Sequence, residues 1–208
     1  PCSMPEKTVW IARHGHRFDF AYPEWFLTAE RRYDPALSDE GFVQVQQLAT
    51  RLKQEPIDHL FCSPFLRAIQ TAHPISQLLE LPLKIERGLG EWLNPDWMTE
   101  YPQTSPLEEL TPKYSIDQPY SSRLIPTYPE SESAMMQRMA SIAGQLVTEF
   151  SGNLLLVGHG ATVGGITAGL MGENLIWQAP LACLTKIVYV KNRWKIELKA
   201  DISHLESF

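Results

Sequence analysis

Thr8-Val-Trp-Ile-Ala12 runs without a break into Arg13-His14-Gly15-His16-Arg17. The first five residues are rich in β-branched and aromatic types and predict a short buried strand over residues 8–12. The pentapeptide after it sets a histidine between two arginines, beside a glycine, where that strand ends. Two guanidiniums within five residues make a fork suited to a dianion. Their field disfavours protonation of His14 and leaves a neutral ring nitrogen available as a nucleophile. Gly15 permits a sharp turn and the close approach of a ligand. The stretch reads as a phosphoryl-transfer site in which histidine itself takes the phosphoryl group.

Outward from this point, strands and helices alternate. Residues 18–36 hold six aromatics without a clean period and are expected to form a packed loop with one helical turn. Ser38 reads as an N-cap, with Asp39 and Glu40 in the first turn of a helix that reaches about Gln54 and is ended by Pro56. His59-Leu-Phe-Cys-Ser63 predicts a second strand. A helix from Pro64 to about Glu80 follows, with Pro74 expected to kink or break it. Residues 83–87 predict a third strand. Ser131 caps a further helix, with Met135, Met139, Ile142 and Leu146 on one face. Asn153-Leu-Leu-Leu-Val157 is apolar throughout, as in a strand buried on both sides. It ends in Gly158-His159-Gly160, and a small-residue helix is expected over 162–171. Residues 183–191 and 194–202 predict a terminal antiparallel pair. The alternation predicts an α/β fold of three α/β/α layers, its sheet mostly parallel with helices on both faces.

Residues 92–130 differ in character. Seven of the chain's 16 prolines lie there, with Trp92, Trp97 and four tyrosines. Loops this long are usually functional or disordered, and the aromatic content favours an ordered flap. We expect a single domain over 1–208, with this Pro- and aromatic-rich segment inserted in it.

Composition excludes several classes. The 208 residues are 44% hydrophobic and 20% charged, with formal net charge −6. An acidic chain is poorly suited to general nucleic-acid binding, which rests on phosphate neutralisation. No stretch approaches the ~18 uninterrupted apolar residues of a membrane span. The first residues lack the charged and apolar regions of a signal peptide. Cys2, Cys62 and Cys183 are odd in number and share no spacing, so neither a disulfide framework nor a zinc site is expected. A cytoplasmic location is therefore expected, with a small-molecule partner and neither nucleic acid nor membrane. The pattern does not fix an oligomeric state.

The chemistry-bearing residues all follow strands. His14 follows the first, Ser63 and Arg67 the second, Glu91 the third and His159 the apolar one. Open α/β sheets bind ligands along that edge. Arg13 and Arg17 taken singly are ordinary surface arginines; beside His14 they read as a grip on phosphoryl oxygens. Arg67, near a helix start, would share an anion with the free amides there. His159 between glycines is either a satisfied core histidine or a second hydrogen-bond donor to the phosphoryl group, cationic if protonated. A metal is the weaker reading, because the arginines would repel a cation and no carboxylate lies at ligand spacing. Glu91, following Gly88-Leu89-Gly90, is either a surface carboxylate or a general acid whose burial against Trp92 would raise its pKa. Ser63 caps the helix or bonds to the phosphate. His16 is given no catalytic role, and His59, His73 and His204 are read as structural.

Four stretches together resemble the histidine phosphatase superfamily, also called phosphoglycerate mutase-like. They are Arg13-His14-Gly15-His16-Arg17, Ser63-Pro64-Phe65-Leu66-Arg67 with Gln70-Thr71-Ala72, Gly90-Glu91-Trp92, and Gly158-His159-Gly160. The likeness covers roughly residues 8–172. Arg17 and the Glu91-Trp92 pair are most similar to the phosphatase domain of the suppressors of T-cell receptor signalling and to insect steroid-phosphate phosphatases. The resemblance implies His14 as the nucleophile that becomes phosphohistidine. It implies Arg13, Arg17, Arg67 and His159 as the phosphate pocket, Glu91 as proton donor, and neither metal nor cofactor. His16 departs from the glutamate or glutamine of many relatives. The expected activity is a metal-independent phosphomonoesterase acting on a small ester with an apolar or aromatic leaving group. A mutase-type phosphotransferase is the alternative, weakened because the central segment lacks the tract of cofactor-dependent mutases. A non-catalytic binding module on the same fold is the third reading.

Overall fold

The computed structural model describes residues 4–175 and 178–206, so Cys2 lies outside the described residues. Six strands form one sheet: β1 (Lys7–Arg13), β2 (His59–Cys62), β3 (Leu83–Ile85), β4 (Leu154–Gly158), β5 (Leu184–Val190) and β6 (Arg193–Asp201). Their order across the sheet is β3-β2-β4-β1-β5-β6. The first four in that order run parallel. The last two add an antiparallel hairpin, whose turn places Lys191 and Asn192 at φ 53° and 62°, as a twisted two-residue connection requires.

Strand alternation decides the layers. Trp10, Ala12, Leu60, Cys62, Leu155 and Val157 point to one face. There α3 (Asp39–Leu52) and α4 (Leu66–Leu79) cover them. Val9, Ile11, Phe61, Leu154 and Leu156 point to the other face. There α6 (Glu132–Glu149) and α7 (Gly160–Met171) close the core. Because both faces are covered, the central strands have no polar side, as the run Leu154-Leu-Leu-Val157 anticipates. The fold is a three-layer α/β/α arrangement. Among the described residues no helix is long and apolar enough to cross a membrane.

Several local expectations are corrected. The segment after β1 holds two helical turns, α1 (Phe18–Ala21) and α2 (Trp25–Thr28). It is not tightly packed: Phe20, Tyr22 and Phe26 stay exposed. The second helix starts at Leu66 rather than Pro64: Phe65 is extended, with ψ 138°, and the Leu66 amide is satisfied by the buried Asp34 carboxylate at 2.7 Å. It runs unbroken past Pro74, which is buried within it. The third strand ends at Ile85, where a 3-10 turn begins at Arg87. Residues 92–130 contain one short helix, α5 (Leu107–Leu110). Ile116 bridges to Leu83, and this pairing covers the edge of β3 that would otherwise present open backbone groups.

The turn after β1 is clamped from behind by α3. An atom added as Cβ at Gly41 would sit 2.2 Å from the His16 carbonyl oxygen. Gly15 likewise faces the Gly41 carbonyl and Val45 at 3.0 Å. Gly15 therefore serves helix packing, a different reason from the ligand approach expected of it. Gly41→Ala should cost about 1–3 kcal/mol by overpacking against backbone that cannot yield. Denaturant unfolding will measure it, and a neutral result would mean that α3 does not set this turn.

Candidate active site

The parallel strands deliver successive segments to one edge. Arg13 pairs with Gly158, and Cys62 pairs with Val157 and Ile85. The ladder continues one step further. The His14 amide donates to the Gly158 carbonyl at 2.9 Å, Ser63 to Val157 at 3.0 Å and Glu86 to Cys62 at 2.8 Å. His14, Ser63 and His159 are thereby neighbours, although 145 residues of sequence separate the two histidines.

His14 is buried, and its ring centroid is 5.3 Å from that of His159. Its Nδ1 lies 2.8 Å from the Gly15 carbonyl oxygen. A carbonyl only accepts, so Nδ1 carries the proton and Nε2 keeps a free lone pair. Burial holds the His14 pKa well below 6.5, and the nearby Arg67, Arg13 and Arg17 push the same way, while the Gly15 bond opposes them. The backbone is fixed as well: Thr71 Oγ1 accepts the Gly15 amide at 3.1 Å and donates to the Arg67 carbonyl at 2.7 Å.

Arg67 is almost wholly buried. Its Nη1 donates to the Tyr33 carbonyl at 3.3 Å, and its Nη2 lies 3.5 Å from Glu91 Oε2. Burial, and then the neighbouring charge of Arg17, lower its pKa to about 10. Arg13 Nη1 donates to the Ala179 carbonyl at 2.6 Å. Arg17 is gripped by Asp19 through Nε at 2.9 Å and Nη2 at 2.6 Å, and it lies over the Phe20 ring. Glu91 Oε2 lies 3.4 Å from His159 Nδ1, and its Oε1 accepts the Trp92 amide at 2.9 Å. Ser63 Oγ bonds to His159 Nε2 at 2.8 Å. Three buried nitrogens of this group, Arg13 Nε, Arg67 Nε and His159 Nδ1, have no hydrogen-bond partner in the protein. Buried polar atoms are rarely left so, and three together suit an anion with several acceptor oxygens.

The six residues singled out from the sequence, Arg13, His14, Arg17, Arg67, Glu91 and His159, thus lie in one cluster. One open alternative is decided and one expectation is altered. Burial, with Arg67 next, lowers the His159 pKa well below 6.5, so it offers a neutral ring rather than a cation. The amide at the start of α4 is occupied by Asp34, so the anion would meet Arg67 without it. His16 turns away and bonds to Ser38 Oγ at 2.7 Å. His59, His73 and His204 contact Ser151, Tyr114 and Ala182 elsewhere.

Arg17, Arg67 and Glu91 also line a cavity of ≈ 250 Å³ whose other walls include Asp19, Phe26, Arg32, Tyr33 and Trp97. The two aromatic segments join at this cavity. Tyr33 Oη and Arg32 Nη2 both bond to Thr99 Oγ1, at 2.9 and 2.8 Å. Sequence reading missed Asp19, Asp34, Arg32 and Arg138. Asp19 had a signal, being two residues after Arg17 in the same turn. The others depend on tertiary contacts.

The model of the histidine phosphatase superfamily (branch 1) matches residues 9–202. The ecdysteroid-phosphate phosphatase of Drosophila melanogaster is 27% identical over 91% of this chain and 31% of its own length. The transcription factor tau 55 kDa subunit of Saccharomyces cerevisiae is 31% identical over 82% of this chain and 42% of its own length. The chain therefore spans well under half of these two relatives. Among solved structures, the ecdysone phosphate phosphatase of Bombix mori in complex with tungstate superposes with a TM-score of 0.71 at 19% identity, covering 91% of each chain. That likeness concerns the fold.

A neutral His14 has a measurable consequence. Its imidazole should titrate below pH 6.5 in a nitrogen-15 NMR series, and a midpoint at or above that value would contradict the electrostatic account. The sign for stability follows from the same shift. The unfolded chain takes up the proton near pH 6.5 while the folded one refuses it, so stability falls as pH drops below 6.5. His14→Phe should lose less over that range.

Proposed function

The chain belongs to the histidine phosphatase superfamily (branch 1), and we propose that it is a phosphomonoesterase working through phosphohistidine at His14. One observation carries this reading. The His14 Nδ1 proton is committed to the Gly15 carbonyl, so the free Nε2 pair is held neutral among Arg13, Arg17 and Arg67. Nε2 attacks phosphorus, the N–P bond forms and the ester P–O bond breaks. Protonated Glu91 gives its proton to the departing oxygen. Water then attacks the phosphohistidine, Glu91 takes a proton from it, the N–P bond breaks and inorganic phosphate leaves. The arginines and His159 balance charge on the equatorial oxygens through both steps. Because fixed guanidiniums fill this role, the proposed reaction is independent of a metal ion.

The leaving group is proposed to be apolar or aromatic. Phe26 and Trp97 line the cavity and are 40% and 56% exposed. Phe20, on the first of the two helical turns, and Tyr22, which ends it, stand nearby in sequence and are also exposed. Exposed aromatics grouped beside a polar cluster are what such a group would cover. The ecdysteroid-phosphate phosphatase of Drosophila melanogaster, to which the chain is similar, supports the same choice.

A screen of aryl, steroid-like, sugar, nucleotide and phosphopeptide esters tests the proposal. Aryl or steroid-like esters should be hydrolysed best, with activity surviving a chelator and lost with phosphoenzyme trapping in His14→Ala. Preferred hydrolysis of sugar phosphates, or transfer to a sugar-phosphate acceptor in place of release, would refute the substrate or the reaction class respectively. Replacing both Phe26 and Trp97 by alanine should raise KM for an aryl ester about tenfold, from roughly 1.5 kcal/mol of lost apolar contact. Glu91→Gln should lower kcat/KM for alkyl esters on the order of 100-fold while sparing kcat/KM for nitrophenyl phosphate, since that ratio excludes the water step common to both. Equal losses on both esters would remove Glu91 from the acid role.

A further inference from the structure

Behind the cluster lies a buried ion pair that belongs to none of the four motifs. Arg138, in the middle of α6, is 5% exposed, as is Glu130. The two meet through Arg138 Nε to Glu130 Oε2 at 2.8 Å and Nη2 to Oε1 at 2.6 Å. The remaining guanidinium hydrogens all go to one turn of backbone. Nη1 donates to the Gly88 carbonyl at 3.0 Å and to the Gly90 carbonyl at 2.9 Å. Nη2 donates to the carbonyl of Glu91 itself at 3.1 Å. Glu130 completes the grip from the other side. Its Oε1 accepts the Leu93 amide at 3.1 Å, its carbonyl accepts Trp92 Nε1 at 2.7 Å, and its amide donates to the Leu93 carbonyl at 2.9 Å.

Every bond of this pair ends on residues 88–93, and Glu91 lies between the two sets. A 3-10 turn and two glycines leave that segment little stiffness of its own. Among the described residues the Glu91 side chain, in contrast, has only the Trp92 amide as a well-formed hydrogen bond, with Arg67 and His159 at 3.5 and 3.4 Å. Its aim is therefore set through the backbone.

We propose that Arg138, anchored by Glu130, is a positioning residue that holds the Glu91 carboxyl at the angle proton transfer requires. The proposal rests on the acid role of Glu91 given above. Arginine suits the task because a planar fork can serve three carbonyls and a carboxylate at once; lysine has three donors and cannot span them.

The test is a leaving-group series from nitrophenyl through phenyl to alkyl phosphate, measured for Arg138→Lys, Glu91→Gln and the double variant. Arg138→Lys keeps the buried charge, so Glu130 is not left unpaired. Arg138→Lys should lower kcat/KM for alkyl phosphate on the order of tenfold and for nitrophenyl phosphate by less than about threefold. Inhibition by inorganic phosphate should be unchanged. In the Glu91→Gln background the lysine should add little further loss on alkyl phosphate, because the group it aims is gone. A uniform loss across the series, or a loss that adds fully to that of Glu91→Gln, would show a merely structural role and overturn the proposal. Should Glu91→Gln show no leaving-group bias, the acid reading falls and this proposal with it; bias in Glu91→Gln without bias in Arg138→Lys sinks the positioning role alone. If Arg138→Lys does not fold, Glu130→Gln is measured in its place, with the same pattern expected and the same outcomes overturning it.

Discussion

Three guanidiniums gathered around one neutral imidazole impose the central constraint of this molecule. Like charges repel, and burying them removes the water that would screen them. The protein meets this cost locally. Asp19 takes two donors of Arg17, the Ala179 carbonyl takes one of Arg13, and Tyr33 and Glu91 face Arg67. The compensation is incomplete, since Arg13 Nε and Arg67 Nε stay without protein partners. Buried donors left open in this way suit an anion with several acceptor oxygens. The overall charge of −6 does not conflict with this, because Arg13, Arg17 and Arg67 act together on His14 whatever the sign of the whole chain.

Such a cluster holds together only if its backbone cannot relax away. The parallel ladder extends one residue past the strands to fix His14 and Ser63. From one face α3 presses Gly41 against the His16 carbonyl, and from the other α6 sends Arg138 into the turn that carries Glu91. Buried Glu86 adds a further tie without any cation: it accepts the Gly88 and Arg123 amides and the Tyr120 hydroxyl at 2.6–2.8 Å. Burial of a carboxylate is tolerable there because each oxygen is hydrogen-bonded. Breaking a pair such as Arg138–Glu130 from one side typically costs about 3–5 kcal/mol, so these ties rank with the apolar core in holding the edge.

The two aromatic segments do different work. Residues 18–33 leave rings exposed over the cavity, whereas 92–130 both closes the sheet edge at Ile116 and reaches back to the cavity at Trp97. Their junction at Thr99 ties together two walls of that cavity, since Arg32 and Tyr33 line it beside Trp97.

The sequence by itself determined the sheet layers and the membership of the cluster. Strand runs with apolar residues on both faces, and chemistry-bearing residues just beyond their ends, are local patterns that survive without knowledge of the fold. It also determined the Ser38 and Ser131 caps, because capping is a contact over three residues. What only the tertiary structure decided were the long-range substitutions of one partner for another. Asp34 took the α4 amide that an anion was expected to meet, α3 rather than a ligand explained Gly15, and Arg138 reached the turn that carries Glu91. Each of these contacts joins residues more than 25 positions apart, through backbone groups whose positions no side-chain pattern encodes.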